Sequence, residues 1–486
     1  MSSFRLPHLL IGVLLPTLLL AEKSLLCSEK CVCTYNDGSQ TIKVTCTKNV
    51  QALLLDNSSW IDPNTKLLYE YTEVTLTNQN FIKLNFTFPK NNLTYLNLAN
   101  NDIYSITDSV FQNLQNMRVL ILSNNDLELL SVDAFKGLYL EGRFDPLRSL
   151  IELRLDHNKL HTLNKDIFEH IDDLEILDLS YNPLKVIDLP TTMAIDTLAS
   201  LKELYLRYTQ ITTLPTYILN APKHLFLLDL SGNPISVVPS TLSDSHNLTT
   251  LYLNDTAFVN LTEKNGFPQI PTIKTLYLSN LAYLERIDIG ALSGLTGLEE
   301  LHISDNIKLN YISEYSVASK NEKNRARIWP QIRKLYLQNN KLSYLKSDFI
   351  IRWDSLTELD IRDNPWTCEC ENQWMVEDLM PNYMKIDPST VSEVKCGAPV
   401  EMASYTLFEL YEKKYEMRCL DIYGAKPDKD AVLLIGVLTG VLLAIPIILF
   451  IIFAFQRRWF GVFTSCSNSP AAYSRRFYSA TKDDDF

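Results

Sequence analysis

The sequence predicts an α/β-type repeat solenoid: a horseshoe with a parallel sheet on its concave face, disulfide caps at both ends and one transmembrane helix beyond. Three observations predict it. One pattern of leucines closed by an asparagine recurs along residues 67–363. Two clusters of four cysteines bracket that stretch. A 25-residue run without a charge, Ala431 to Phe455, then follows.

The pattern is L-x-x-L-x-L-x-x-N-x-L. Eleven copies fit it, from Leu93-Leu96-Leu98-Asn101-Ile103 to Leu356-Leu359-Ile361-Asn364-Trp366, with a degraded twelfth at Val74-Leu76-Phe81. The central x-L-x-L-x stretch alternates, so it is a short strand with leucines on one side and variable residues on the other. One turn cannot bury its leucines alone, whereas stacked turns share a core and a parallel sheet. The asparagine stands where the chain leaves the strand, and its amide satisfies backbone groups that burial strands. Thr209 and Thr256 do part of that work; Leu281 cannot, which predicts an irregularity near 279–290. Phe111, Phe135, Phe168 and Phe349 fall on the return half and form a second core column.

The cysteines are Cys27, Cys31, Cys33 and Cys46, then Cys368, Cys370, Cys396 and Cys419. Clusters at both ends of a cysteine-free stretch fit oxidised caps of a secreted segment, with three connectivities open in each; zinc is disfavoured because no histidine stands beside them. Caps have a physical role, since end turns expose leucines and a sheet edge.

Leu9 to Ala21 reads as a signal-peptide core within residues 1–21. Basic residues Arg457 and Arg458 follow the 431–455 span, so the cytoplasmic side is C-terminal. The expected order is an N-terminal cap (22–66), the repeats (67–363), a C-terminal cap (364–420), a stalk (421–430), the span and a cytoplasmic tail (456–486). The expected protein is a single-pass type I plasma-membrane protein with its N-terminus outside. A net charge of −12 argues against a nucleic-acid partner.

These motifs resemble the extracellular leucine-rich repeat family over residues 27–420, the C-terminal cap "NPWTCECENQW" closely. The resemblance implies pairings Cys27–Cys33, Cys31–Cys46, Cys368–Cys396 and Cys370–Cys419. Repeats, caps, one span and a short tail are similar to connectin, capricious and tartan, and to a Toll-like ectodomain without its intracellular signalling domain. It implies a receptor or adhesion protein that binds an extracellular protein ligand, or an identical receptor on another cell. The alternative is an innate-immune pattern-recognition co-receptor.

The expected binding surface is the sheet face. Tyr205, Tyr252, Tyr277 and Tyr336 share one outward column with His302 and Asp229, and Tyr181, Tyr208, Phe226 and Leu227 stand in neighbouring columns. Aromatics on a rigid sheet suit a protein-binding hot spot; the competing reading is that they only stack on one another. Sequons at Asn57, Asn85, Asn92, Asn247, Asn254 and Asn260 are candidate glycosylation sites. Cys466 is a palmitoylation candidate, and Gly436 with Gly440 a homodimer contact within the membrane. Two insertions, 139–147 and the basic 318–330, lengthen their turns. His157 and His161 have the spacing of a metal pair but straddle a strand end, and no catalytic motif stands out, so no metal, cofactor or enzymatic activity is expected.

Overall fold

The computed structural model describes Cys27 and residues 30–35, 42–46, 50, 60–61, 66–320, 326–419 and 427–456. The expected signal peptide, Asn57 and Cys466 lie outside the described residues. The chain forms two compact units, Met1–Tyr415 and Glu416–Phe486.

The first unit is a solenoid built on a fourteen-stranded sheet. Its first two strands, Cys31–Tyr35 and Ile42–Cys46, are an antiparallel pair, and twelve parallel strands follow, Tyr71–Thr75 to Glu358–Asp360. Most are three residues long with only the middle one buried, because side chains alternate across a strand. The leucines align without offset, Leu153 beside Leu177, Leu204, Leu228, Leu251 and Leu276 in turn, and all are fully buried. A core apolar on one side thus runs the length of the unit.

Most column asparagines serve their own turn and the one before. Asn182 Nδ2 donates to Leu179 O and Leu155 O, while its Oδ1 accepts from the Leu160 amide. Gln79 fills the same position in the degraded first repeat, donating to Cys46 O and accepting from the Val50 amide. The irregularity expected near 279–290 does not occur: Arg286–Ile287 keeps regular parallel pairing on both sides, as does Thr275–Tyr277 before it. The reason is the shared duty. Leu281 N–H is served by Asn306 Oδ1, Leu278 O by Asn306 Nδ2 and Leu253 O by Thr256 Oγ1.

The residue before each asparagine position is left-handed, with φ between 52° and 72° at positions such as Asn124, His157, Tyr181, Tyr208, Gly232 and Asp255. This turns the chain out of the sheet and raises an exposed ridge along its edge. On the return side, Phe88, Phe111 and Phe135 stack at 6.0 and 6.1 Å, and Phe168 and Phe349 are fully buried. The helix Leu189–Asp196 absorbs the longer spacing of its repeat; Asp188 caps it by accepting from the Thr191 amide. Both insertions become antiparallel hairpins, Leu138–Leu140 with Arg143–Asp145 and Ser319–Lys320 with Arg327–Ile328. The first turns on Glu141 and Gly142, both at positive φ, as a two-residue hairpin requires.

Disulfides join Cys27 to Cys33, Cys31 to Cys46 and Cys368 to Cys396, and Cys370 and Cys419 are disulfide-bonded too. In the C-terminal cap, Trp366 is buried with its indole N–H donating to Ile361 O.

The second unit contains the helix Pro427–Gln456. Its apolar part, Val432–Ala454, has 23 residues, enough at about 1.5 Å each to cross the roughly 30 Å hydrocarbon core. A Cβ at Gly436 or Gly440 would meet nothing within 4 Å.

Candidate protein-binding face

The exposed face of the sheet is set by the residue between the two leucines of each turn. In register this column reads Arg154, Asp178, Tyr205, Asp229, Tyr252, Tyr277, His302, Tyr336 and Asp360. Tyr252, Tyr277, His302 and Tyr336 form one continuous stack with centroids 4.2, 4.1 and 4.2 Å apart and planes within 18°. The strand spacing of about 4.8 Å imposes this, being close to the separation of stacked rings.

The column therefore faces away from the leucine core, yet its rings are half-buried against one another rather than standing free. Their polar tips are also engaged. Tyr205 donates to Glu203 at 2.6 Å and Tyr336 to Glu358, and His302 Nε2 lies 2.7 Å from a Glu300 oxygen. Burial, then the adjoining carboxylate, pushes the phenols of Tyr205 and Tyr336 well above their usual range; burial and the Tyr252 hydroxyl do the same for Tyr277. Burial holds His302 below the ordinary histidine range against the opposing pull of Glu300.

Tyr181 and Tyr208 stand on the left-handed ridge instead of the sheet itself. With His157 they form a second stack, at 4.1 and 4.7 Å. Tyr208 donates to Asp255 Oδ2 at 2.8 Å, and that hydrogen bond, with burial, pushes its phenol up to about 12. Phe226 is exposed and Leu227 half-buried on the entry side of their strand. His157 is thus a stacking partner, and His161 is exposed; among the described residues no group of three or more metal-ligating side chains gathers.

Sequence reasoning missed the role of His157, although it stands in the same template position as Tyr181 and Tyr208. It also missed Arg207, which reaches Asp178 Oδ2 at 3.3 Å and Asp229 Oδ2 at 3.7 Å from the strand end between them. Of the sequons, Asn85, Asn92, Asn247 and Asn260 are exposed, while Asn254 is half-buried and accepts from the Ser279 amide at 2.8 Å.

The leucine rich repeat family matches this chain at residues 91–141, 143–191 and 199–258. A probable glycoprotein hormone G-protein coupled receptor of Anthopleura elegantissima is 27% identical over 239 residues, covering 47% of this chain and 24% of that protein. Oligodendrocyte-myelin glycoprotein of Homo sapiens is 30% identical over 190 residues, covering 39% of this chain and 38% of that protein. This chain thus spans less than two thirds of either relative. Among solved structures, the Toll–Spatzle complex of Drosophila is similar at 18% identity and a TM-score of 0.46, covering 76% of this chain and 57% of that one. With the matched blocks lying inside the twelve stacked parallel turns, the fold of this unit is a leucine-rich repeat solenoid.

Proposed function

We propose that this chain is a single-pass type I cell-surface protein whose exposed sheet face binds an extracellular protein partner, in adhesion or recognition. The observation that carries this reading is the stack Tyr252–Tyr277–His302–Tyr336 on a rigid parallel sheet. Mutual stacking fixes the rings before a partner arrives, so little side-chain entropy remains to be lost on binding. It leaves their outer edges as contact area, which joins the two readings of the tyrosines: they stack, and the stack is the surface. The apolar helix Val432–Ala454 supports attachment to a membrane, and similarity to a receptor and a myelin glycoprotein supports extracellular recognition.

The test displays the full chain on transfected cells, probes it with an array of extracellular protein domains, and scores aggregation of the cells for self-recognition. Replacing Tyr205, Tyr252 and Tyr277 together by Ala should abolish whichever interaction is found, with surface display unchanged. Retained binding by that variant overturns the reading.

A further inference from the structure

The fourteen-stranded sheet ends differently on its two sides. Its last strand, Glu358–Asp360, carries two carboxylates and lies against the cap helix Met380–Ile386, while Arg362 ties Asp360 to Glu393 of that cap. Charge and cover of this kind keep an edge from pairing with another chain. The first strand, Cys31–Tyr35, has a neighbouring strand on one side only, Ile42–Cys46. It reads Cys-Val-Cys-Thr-Tyr, with no charge and no proline, and Val32 and Tyr35 are 63% and 47% exposed.

The register decides which backbone groups the open side presents. Antiparallel partners alternate between close pairs that exchange no hydrogen bonds and wider pairs that exchange two. Cys31 and Cys46 stand opposite one another with Cα atoms 3.9 Å apart, a close pair joined by a disulfide. Cys33–Val44 and Tyr35–Ile42 share that phase. The Ile42 amide accordingly points away from the first strand and donates to Glu70 O at 2.9 Å. Cys31, Cys33 and Tyr35 therefore direct their own N–H and C=O groups outward, and among the described residues nothing pairs with them. Two disulfides, Cys27–Cys33 and Cys31–Cys46, fix the edge in this extended form.

We infer that a second copy of this chain adds its own first strand to this edge, antiparallel and related by a twofold axis through Cys33. That register sets Cys33 opposite Cys33 of the second copy and Cys31 opposite its Tyr35, so every outward donor meets an outward acceptor and the two sheets become one. Val32 then faces Thr34 of the second copy, a close pair of β-branched side chains. A flexible peptide of another protein loses conformational entropy on joining an edge, whereas a second copy brings a strand already extended and stapled by its disulfides. A strand pair of five residues buries far less than the roughly 1,200 Å² of a stable interface. The contact is therefore weak between two molecules and gains strength where many copies are held on membranes.

The edge lies apart from the sheet face and is tested apart from it. The photoreactive residue p-benzoylphenylalanine is placed at Val32 of the full chain in detergent micelles. Irradiation should give a covalent dimer whose cross-link maps to residues 31–35 of the second copy; no dimer, or a cross-link mapping elsewhere, overturns the inference. Sedimentation equilibrium in the same micelles then follows association without a probe at the edge. Val32→Lys with Thr34→Lys sets like charges opposite one another across the pair and should weaken association about tenfold or more, as should Val32→Glu with Thr34→Glu. An equal mixture of the two variants should associate again, which misfolded variants would not do. Association unchanged in both charged variants, or not regained on mixing, overturns the edge. The variant with Tyr205, Tyr252 and Tyr277 replaced by Ala should associate like the unaltered chain. Loss there with full association in the charged variants moves self-recognition to the sheet face and also overturns the edge.

Discussion

The ring of Tyr208 lies flat against the backbone of Gly232. A Cβ built at Gly232 would stand 2.3 Å from Tyr208 Cδ1, and Gly232 itself has φ +72°. A glycine there lets Tyr208 cross one whole turn of the solenoid and donate to Asp255 in the next. The last ring of the ridge stack is thereby fixed at both ends, by Tyr181 on one side and Asp255 on the other.

Gly232→Ala should therefore cost about 1–3 kcal/mol, from left-handed strain together with displacement of the Tyr208 ring. Gly142→Ala, at φ +86° but with nothing within 4 Å, bears the strain alone and should cost less. Thermal unfolding of both variants checks the order; equal costs would mean that the ring contact contributes nothing.

Asn182→Ala removes the donor to three buried carbonyls and the acceptor of one buried amide, spread over two turns. Each stranded group costs about 1–3 kcal/mol, so the loss should be at least about 2 kcal/mol. Denaturant unfolding measures it, and hydrogen exchange should show the Leu160 amide losing protection.

His302 should make stability depend on pH. Its folded pKa lies below the ordinary 6.5 because burial disfavours the charged ring. The unfolded chain then binds the proton first on acidification, so this contribution is fully present above about pH 6.5 and is lost as pH falls through the folded pKa. The groups facing the ring are Tyr277, Tyr336, Glu300, Lys334 and Glu358. His302→Tyr continues the column with a group that does not titrate in this range. Its melting temperature should fall less than that of the unaltered chain between pH 7.5 and pH 5; identical slopes would remove His302 as the cause.

Phe111→Ala opens the middle of the buried Phe88–Phe111–Phe135 stack and should cost about 3–5 kcal/mol. Phe226→Ala, at 37% exposure on the sheet face, should cost under about 1.5 kcal/mol. Melting temperatures of the two variants compare them directly.

The fold was legible because its determinants are local and repeated. Leu204, Leu228 and Leu251 each announce a strand within five residues, and stacking follows from their shared period. Gln79 was not legible as a column residue, since glutamine departs from the pattern and only its bonds to Cys46 O and the Val50 amide disclose the duty. Leu281 misled for a related reason. Each turn is satisfied partly by the next, so the consequence of one departure is decided by Asn306, 25 residues on.

By itself the sequence determined the solenoid, the inward leucines, the outward tyrosines and the apolar span, all of which follow from spacing along the chain. Only the tertiary structure decided that four rings stack in one column, that His157 belongs to a second stack, and that Asp229 breaks the first. Those facts concern neighbours across turns. They depend on register between strands about 4.8 Å apart, a distance no single repeat contains.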